Sequence, residues 1–456
     1  TVTMLIANVF FVSSLQAQNA FEDVTESVGL KGLSGGVAAW GDYNNDGWVD
    51  LFVSGQLWKN ETGKRFSKVK IDFPGPGIWG DFNNDGRLDL FCWSGKGKVF
   101  RNLGGASFED IGAAFPNLPT QVSLGATWGD FNGDGFLDLY IGGYEVWPDK
   151  EFPDVVFLNN GGKRFVQHWK QQTIRRARGI TAADYDRDGD LDIYVSNYRL
   201  QPNLLLQNDG HANFSNVGKK LAVEGDGELG AWGHTIGSAW GDFDNDGNFD
   251  LFVGNFSHPP AYQDRPAFLK NLGKAKGFKF SDQSKLAGLR WQESYASPTL
   301  ADYDNDGWLD LFFTTVYNGD KSVLYRNVGD WKFEDRSANS NVAVPQTYQA
   351  AWADFDNDGA MDLVTGGRLM RNTKLASDAS HWLMVELDPG HDANAFGIGA
   401  EVRIQLDKQV LLRQVEGGTG QGNQNDLRLH FGLGKHAADV KIQVRWADGK
   451  TTVCES

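Results

Sequence analysis

Two cysteines in 456 residues, Cys92 and Cys454, exclude a disulfide framework, and neither has the spacing of a metal finger. The eight histidines are scattered and form no zinc-type cluster. There is no nucleophile elbow and no phosphate-binding loop, so the common hydrolase and nucleotide-binding signatures are missing. Basic residues are outnumbered, 43 Lys and Arg against 59 Asp and Glu, and they form no stripe; a nucleic-acid partner is therefore excluded as a reading. Long apolar runs are missing too. The stretch from Val2 to Ser14 is too short for a transmembrane segment. Followed by Leu15-Gln16-Ala17, it predicts a signal peptide over residues 1–17, and the opening on Thr1 with no basic segment predicts a truncated start. Cys92 lies in an apolar run and reads as a buried thiol.

What is abundant is glycine, 56 residues, aromatic side chains at 13%, and a nine-residue pattern that returns seven times: Asp-x-(Asp/Asn)-x-Asp-Gly-x-x-Asp. Its ligand-type positions are Asp42/Asn44/Asp46/Asp50, Asp81/Asn83/Asp85/Asp89, Asp130/Asn132/Asp134/Asp138 and Asp184/Asp186/Asp188/Asp192. They continue as Asp242/Asp244/Asp246/Asp250, Asp302/Asp304/Asp306/Asp310 and Asp354/Asp356/Asp358/Asp362. One such cluster reads equally well as a polar β-turn; seven in register do not. Alternate oxygen side chains at positions one, three and five of a tight loop can converge on a hard cation that takes six to eight oxygens. The glycine at position six permits the reversal. Position seven varies freely, as it would if only its carbonyl were used. Position nine is always Asp and heads a run such as Leu51-Phe52-Val53, so the loop joins two strands. Oxygen-only ligands predict Ca²⁺, up to seven ions, over zinc, copper or the stricter Mg²⁺. Three aspartates in each of the first three loops and four in each of the last four, 25 in all, account for most of the formal charge of −16.

The copies recur every 39 to 60 residues, the spacing of repeat architectures built from small sheets. Each unit reads as four strands, for example Gly36–Trp40, Leu51–Val53, Leu57–Asn60 and one around Phe66. The seventh unit lacks a fourth strand, and Phe21-Glu22-Asp23-Val24 has the right form to supply it, which predicts a ring closed by residues 21–24. The expected architecture is all-β, a seven-bladed β-propeller over residues 21–374, with a small β-sandwich-like domain over 378–456. Tryptophans two positions before the first Asp (Trp40, Trp79, Trp128, Trp240, Trp352) read as inter-blade packing.

The acidic loops occupy one face. Loops on the opposite face carry Trp147, Arg178, Tyr198, Glu228, Trp232, His234, His258, Tyr262, Trp291, Glu293 and Tyr348, a mix of aromatic and charged residues that predicts a ligand-binding surface. Three functions compete. The first is an exported module, secreted, periplasmic or at the cell surface, that recognises a protein or glycan. The second is an enzyme of lyase, hydrolase or cyclase type with a polar funnel over the channel, built from Arg178, Glu228, His234, His258 and Glu293, although no motif fixes their spacing. The third is a structural surface module that binds through its C-terminal domain.

On its seven acidic loops the chain resembles the FG-GAP/VCBS-repeat propellers, the integrin-α-like architecture, over residues 21 to 372. The second unit is similar to an ASPIC/UnbV domain in Asn394-Ala395-Phe396-Gly397-Ile398-Gly399-Ala400, Leu429-His430-Phe431-Gly432-Leu433-Gly434 and Val444-Arg445-Trp446-Ala447-Asp448-Gly449. Both halves in this order resemble bacterial members of the cartilage acidic protein family. Gly420-Gln421-Gly422-Asn423-Gln424 stands where that resemblance implies a Gly-Tyr-x-Ser-Gln type segment.

Overall fold

The computed structural model describes residues 20–94, 97–112, 122–148, 150–225, 232–257, 265–373, 380–388, 390, 394–406 and 409–455. The signal-peptide reading for residues 1–17 falls outside them. Among the described residues, seven four-stranded antiparallel sheets follow one another, the first formed by Ala38–Gly41, Asp50–Val53, Gln56–Asn60 and Phe66–Lys68. In each sheet the acidic loop joins the first strand to the second. The inner strands are Ala38–Gly41, Gly77–Gly80, Ala126–Gly129, Ala177–Ala183, His234–Gly241, Tyr295–Ala301 and Ala350–Ala353. Each packs against the next, and the last packs against the first, so the sheets form a closed ring, a β-propeller. The seventh sheet takes its outer strand from the other end of the chain: Phe21–Asp23 pairs with Arg368–Asn372, Phe21 opposite Asn372.

These strands carry Val, Ile, Leu and aromatic residues on both faces because both are covered by neighbouring sheets. Trp40, Trp79, Trp128 and Trp352 are fully buried. Trp40 Nε1 donates to Ala351 O at 3.4 Å and Trp128 Nε1 to Ile78 O at 3.3 Å, each across to the preceding sheet. A buried tryptophan of this kind costs about 3–5 kcal/mol to truncate to alanine.

The C-terminal domain has two sheets, one of His381–Val385 with Leu429–Gly434 and one ordered Gln409–Gln414, Glu401–Leu406, Lys441–Arg445, Thr451–Glu455. It sits on the acidic-loop face of the ring. Gly434 N donates to Asn305 O at 2.9 Å, Gly432 N to Asp302 Oδ2 at 3.1 Å and Arg445 Nη1 to Asp184 Oδ2 at 2.6 Å. From this domain residues 416–426 descend into the channel and reach inner strands all round it. The inner edge of every blade presents unpaired backbone groups, which need partners when buried. Gly417 O accepts from Trp128 N, Gly420 N donates to Ser238 O, Gln421 N to Ser297 Oγ, and Ala38 N donates to Asn423 Oδ1. The Gln424 side chain pairs with both Trp79 N and Trp79 O, and Asn425 Oδ1 accepts from Trp352 N. With Gln414 Nε2 on Ala182 O at 2.8 Å, all seven sheets are engaged. Asn and Gln suit this role because their amides reproduce the donor and acceptor of a peptide group.

Candidate functional site

The seven acidic loops share one geometry. The first Asp accepts the N–H groups of positions five and six, as Asp302 does from Asp306 and Gly307 at 3.0 and 2.8 Å. Position nine is buried, and its Oδ1 accepts the N–H of an asparagine that ends the third strand, as Asp310 does from Asn327 at 2.7 Å. Where position three is also Asp, three carboxylate oxygens in the loop lie within 4.8 Å of one another: Asp184/Asp186/Asp192, Asp242/Asp244/Asp246, Asp302/Asp304/Asp306 and Asp354/Asp356/Asp362. Asn44, Asn83 and Asn132 replace one carboxylate in the first three loops.

Position five is the most accessible of the ligand-type positions in each loop. Asp46, Asp85, Asp134, Asp188, Asp246 and Asp358 are exposed. In the reversal the position-five Oδ1 accepts the N–H of position seven, in the loops where it joins a cluster as in those where it does not. Asp85 does so from Arg87 at 3.1 Å, Asp134 from Phe136 at 3.0 Å and Asp188 from Asp190 at 3.3 Å. The second oxygen of Asp85 is held by Arg87 Nη2 at 2.6 Å and Asn83 Nδ2 at 3.2 Å, and that of Asp134 by Asn132 Nδ2 at 3.0 Å. In the fourth loop the converging set is Asp184, Asp186 and Asp192, with Asp188 outside it, and in the seventh Asp358 is outside likewise. Asp246 and Asp306 are the position-five carboxylates that join a cluster.

Crowding and burial disfavour charge here. Burial, reinforced by Asp42 and Asp46, pushes Asp50 up to about 9; burial with Asp81 and Asp85 close by pushes Asp89 up to about 8. Asp242, Asp302 and Asp354 rise to about 7, again chiefly by burial. Basic side chains answer part of this charge: Lys59 bridges to Asp46, Lys270 to Asp244 and Asp246, Arg326 to Asp304 and Asp306, and Arg371 to Asp356 and Asp358. Asp186 Oδ1, Asp192 Oδ2, Asp244 Oδ1 and Asp356 Oδ1 remain buried with no hydrogen-bond partner. Buried carboxyl oxygens that converge without donors fit a cation, and these clusters can hold a metal ion.

The asparagine that ends each third strand does more than meet position nine. Its Nδ2 donates to its own loop and across to the preceding sheet: Asn60 to Val49 O and Phe355 O, Asn102 to Leu88 O and Tyr43 O, Asn159 to Leu137 O and Phe82 O. Asn208, Asn271, Asn327 and Asn372 repeat the pattern onto Phe131, Tyr185, Phe243 and Tyr303. The sequence pattern places Asn60 at the end of a third strand but does not say what its side chain holds. The recurrence of these asparagines was the available signal.

On the opposite face, Glu228, His258 and Tyr262 lie outside the described residues. The structure brings Arg178, Tyr198 and Tyr348 together, with Tyr144 beside them. His234 joins this group, its ring 4.7 Å from Tyr198 and its Nδ1 accepting from Arg199 N at 3.2 Å. Trp147, 64% exposed, stacks 4.2 Å from the Arg199 guanidinium, while Arg199 and Arg176 share Glu145. Glu293 accepts Ser257 N through its backbone carbonyl at 2.9 Å. Trp291 stands on the rim of a lateral cavity of about 690 Å³ lined also by Asn203, Arg265, Arg290 and Tyr295. Trp232 is 39% exposed.

Residues 81–141, 242–313 and 302–365 match the FG-GAP-like repeat, and residues 390–456 match the ASPIC and UnbV family. The chain is a propeller of FG-GAP-like repeats with an ASPIC and UnbV domain. It is 28% identical to cartilage acidic protein 1 of Xenopus tropicalis over 293 residues, 60% of this chain and 42% of that one. Against cartilage acidic protein 1 of Homo sapiens it is 28% identical over 295 residues, again 60% of this chain and 41% of that one. The chain thus spans less than half the length of the curated relatives it matches. The solved structure titled BBS1N in complex with ARL6DN is similar over 78% of this chain and 98% of that one, with a TM-score of 0.47 and 9% identity. The resemblance read from the sequence is borne out. It did not reveal that the ASPIC and UnbV domain covers the acidic face of the FG-GAP-like ring, nor that residues 416–426 fill its channel.

Proposed function

We propose that this chain is an exported recognition module: a Ca²⁺-stiffened ring that binds a protein or glycan partner through the face opposite its acidic loops. Residues 1–17 act as its leader, 21–374 as the ring and 378–456 as the second domain. In each loop positions one, three, five and nine, from Asp42/Asn44/Asp46/Asp50 to Asp354/Asp356/Asp358/Asp362, hold one ion with the carbonyl of position seven. Position five joins through the oxygen that the reversal does not use; for Asp85 this means releasing Arg87, for Asp134 releasing Asn132, and for Asp188 a turn inward. The chemistry favours calcium, whose flexible shell of six to eight oxygens suits carboxylates on irregular loops. Its role is structural: it offsets buried like charge. Chelation with excess EDTA is expected to lower the melting temperature substantially, and re-addition of Ca²⁺ to restore it. A negligible shift would remove calcium from the account.

One observation carries the recognition reading. The C-terminal domain packs on the acidic face and residues 416–426 occupy the channel, while away from that face Trp147 is 64% exposed, Trp291, on the rim of the lateral cavity, 51%, Tyr317 43% and Trp232 39%. Exposed aromatics above a rigid ring are what interfaces use as anchors. The relatives' name, cartilage acidic protein, accords with a place outside the cell. Arrays of glycans and exported proteins probed with the calcium-loaded chain test the reading. The triple variant Trp147→Ala, Trp232→Ala, Trp291→Ala is expected to lose captured partners while melting as the parent does; retention of all of them would place recognition elsewhere.

A further inference from the structure

Three of the seven sheets are taller than the rest. The inner strands Ala177–Ala183, His234–Gly241 and Tyr295–Ala301 run seven, eight and seven residues, against four in each of the others. The added length lies at their N-terminal ends, on the face away from the acidic loops, and each of the three contains a register shift. In the first of them the ladder passes from Ala177 opposite Asn197 to Gly179 opposite Ser196, so Arg178 is the residue without a partner on the next strand. A bulge re-aims its side chain. Arg178 is directed over the channel mouth, because its guanidinium meets Tyr348, which lies in the connection between the sixth and seventh sheets and is bonded to Thr315 of the sixth, and neither of these sheets is a neighbour of its own.

The guanidinium carbon lies 4.4 Å from the ring centre of Tyr198, 5.6 Å from that of Tyr144 and 6.0 Å from that of Tyr348. Ring faces attract a cation but accept none of its N–H groups well. Arg178 Nε is buried with no hydrogen-bond partner, and no carboxylate among the described residues lies within ion-pair distance of this side chain. The nearby acid is already committed, since Glu145 binds both Arg176 and Arg199. A half-buried cation without an acceptor is an unfavourable arrangement that an anionic ligand relieves.

We propose that Arg178, walled by Tyr144, Tyr198 and Tyr348, receives the carboxylate of an acidic sugar in an extracellular glycan. The proposal rests on the opposite face being the recognition surface. The planar guanidinium fork matches a carboxylate in two parallel hydrogen bonds. Tyrosine rings offer flat apolar faces to the C–H side of a pyranose, and their hydroxyls serve its O–H groups. A formal charge of −16 on the chain opposes the approach of polyphosphate or polysulfate and weighs less on a ligand with one charge per sugar.

The test is calorimetric titration of the calcium-loaded full chain with trigalacturonate, with neutral galactotriose and a peptide bearing a free C-terminal carboxylate as comparison ligands. Trigalacturonate is expected to bind and galactotriose not. Arg178→Gln should weaken binding about tenfold or more, the loss of a charge-assisted hydrogen bond. Arg178→Lys should recover part of it, with melting temperatures unchanged throughout. If Arg178→Gln lowers the melting temperature, the comparison of Arg178→Lys with the parent decides. Failure of trigalacturonate to bind, undiminished binding by either folded variant, or preference for the peptide overturns the proposal. Should neutral glycans bind instead and be lost in the triple tryptophan variant, the acidic-sugar assignment falls while the recognition face stands.

Discussion

At the scale of single residues, the ring is held by seven asparagines that each satisfy buried carbonyls of two sheets. Asn327 is representative: its backbone N–H meets Asp310, its Nδ2 meets Phe243 O at 2.9 Å and Leu309 O at 3.1 Å, and its Oδ1 accepts from Gly329. Replacing it with alanine leaves two buried carbonyls without a donor, at a cost of about 2–3 kcal/mol. We therefore expect Asn327→Ala to melt clearly below the parent in scanning calorimetry. Asn327→Asp should be worse, since it removes the donors and adds charge beside Asp310. Equal melting of all three proteins would contradict the role. The residue itself was legible in the chain at the end of every third strand. Its partners were not: Asn60 reaches Phe355, 295 positions away, and only ring closure brings them together.

At the scale of elements, the acidic loops were readable because ligand spacing and the glycine reversal are local. Which way each carboxylate points was less so, since all the position-five carboxylates give an oxygen to the same turn, yet Asp246 and Asp306 stand in a cluster and Asp188 and Asp358 do not. The segment 416–426 was not readable, because a glycine-rich polar run has the same composition as any surface loop. What decides its place is geometry. A Cβ on Gly417 would lie 2.0 Å from Trp128 O, and one on Gly420, whose φ is +59°, 2.2 Å from Ser297 Oγ. Gly420→Val is expected to lower the melting temperature by displacing the segment from the channel. Gly449→Ala, at a turn with φ +78° and open space around it, should cost only the backbone strain of about 1–3 kcal/mol. If the two substitutions behaved alike, contact inside the channel would not be what the glycine provides.

At the scale of the whole molecule, charge and stability are tied through the loops. In the metal-free chain carboxylates such as Asp50, Asp89 and Asp242 hold protons up to about 9, 8 and 7, against an ordinary value of 3.8. The fold then binds more protons than the unfolded chain, so its stability falls as pH rises through those values. His430, buried and lowered from 6.5 to about 3, acts with the opposite sign, but only below 6.5. Between pH 6.5 and 9 the melting temperature of EDTA-treated protein is therefore expected to fall steadily, and that of calcium-loaded protein to change far less. Parallel curves would mean that the loop carboxylates are not what couples pH to stability.

The segment that fills the channel also removes the symmetry of the ring. It offers Trp79 a glutamine amide, Trp128 a glycine carbonyl, Ser238 a backbone N–H and Trp352 an asparagine oxygen. Modules with one signature thereby acquire different addresses. Repeat arrays generally gain or lose copies with little penalty, since each unit knows only its neighbours. In this chain a duplicated or exchanged blade would meet the wrong group at the axis, so the number and order of blades are fixed by a short segment that belongs to none of them.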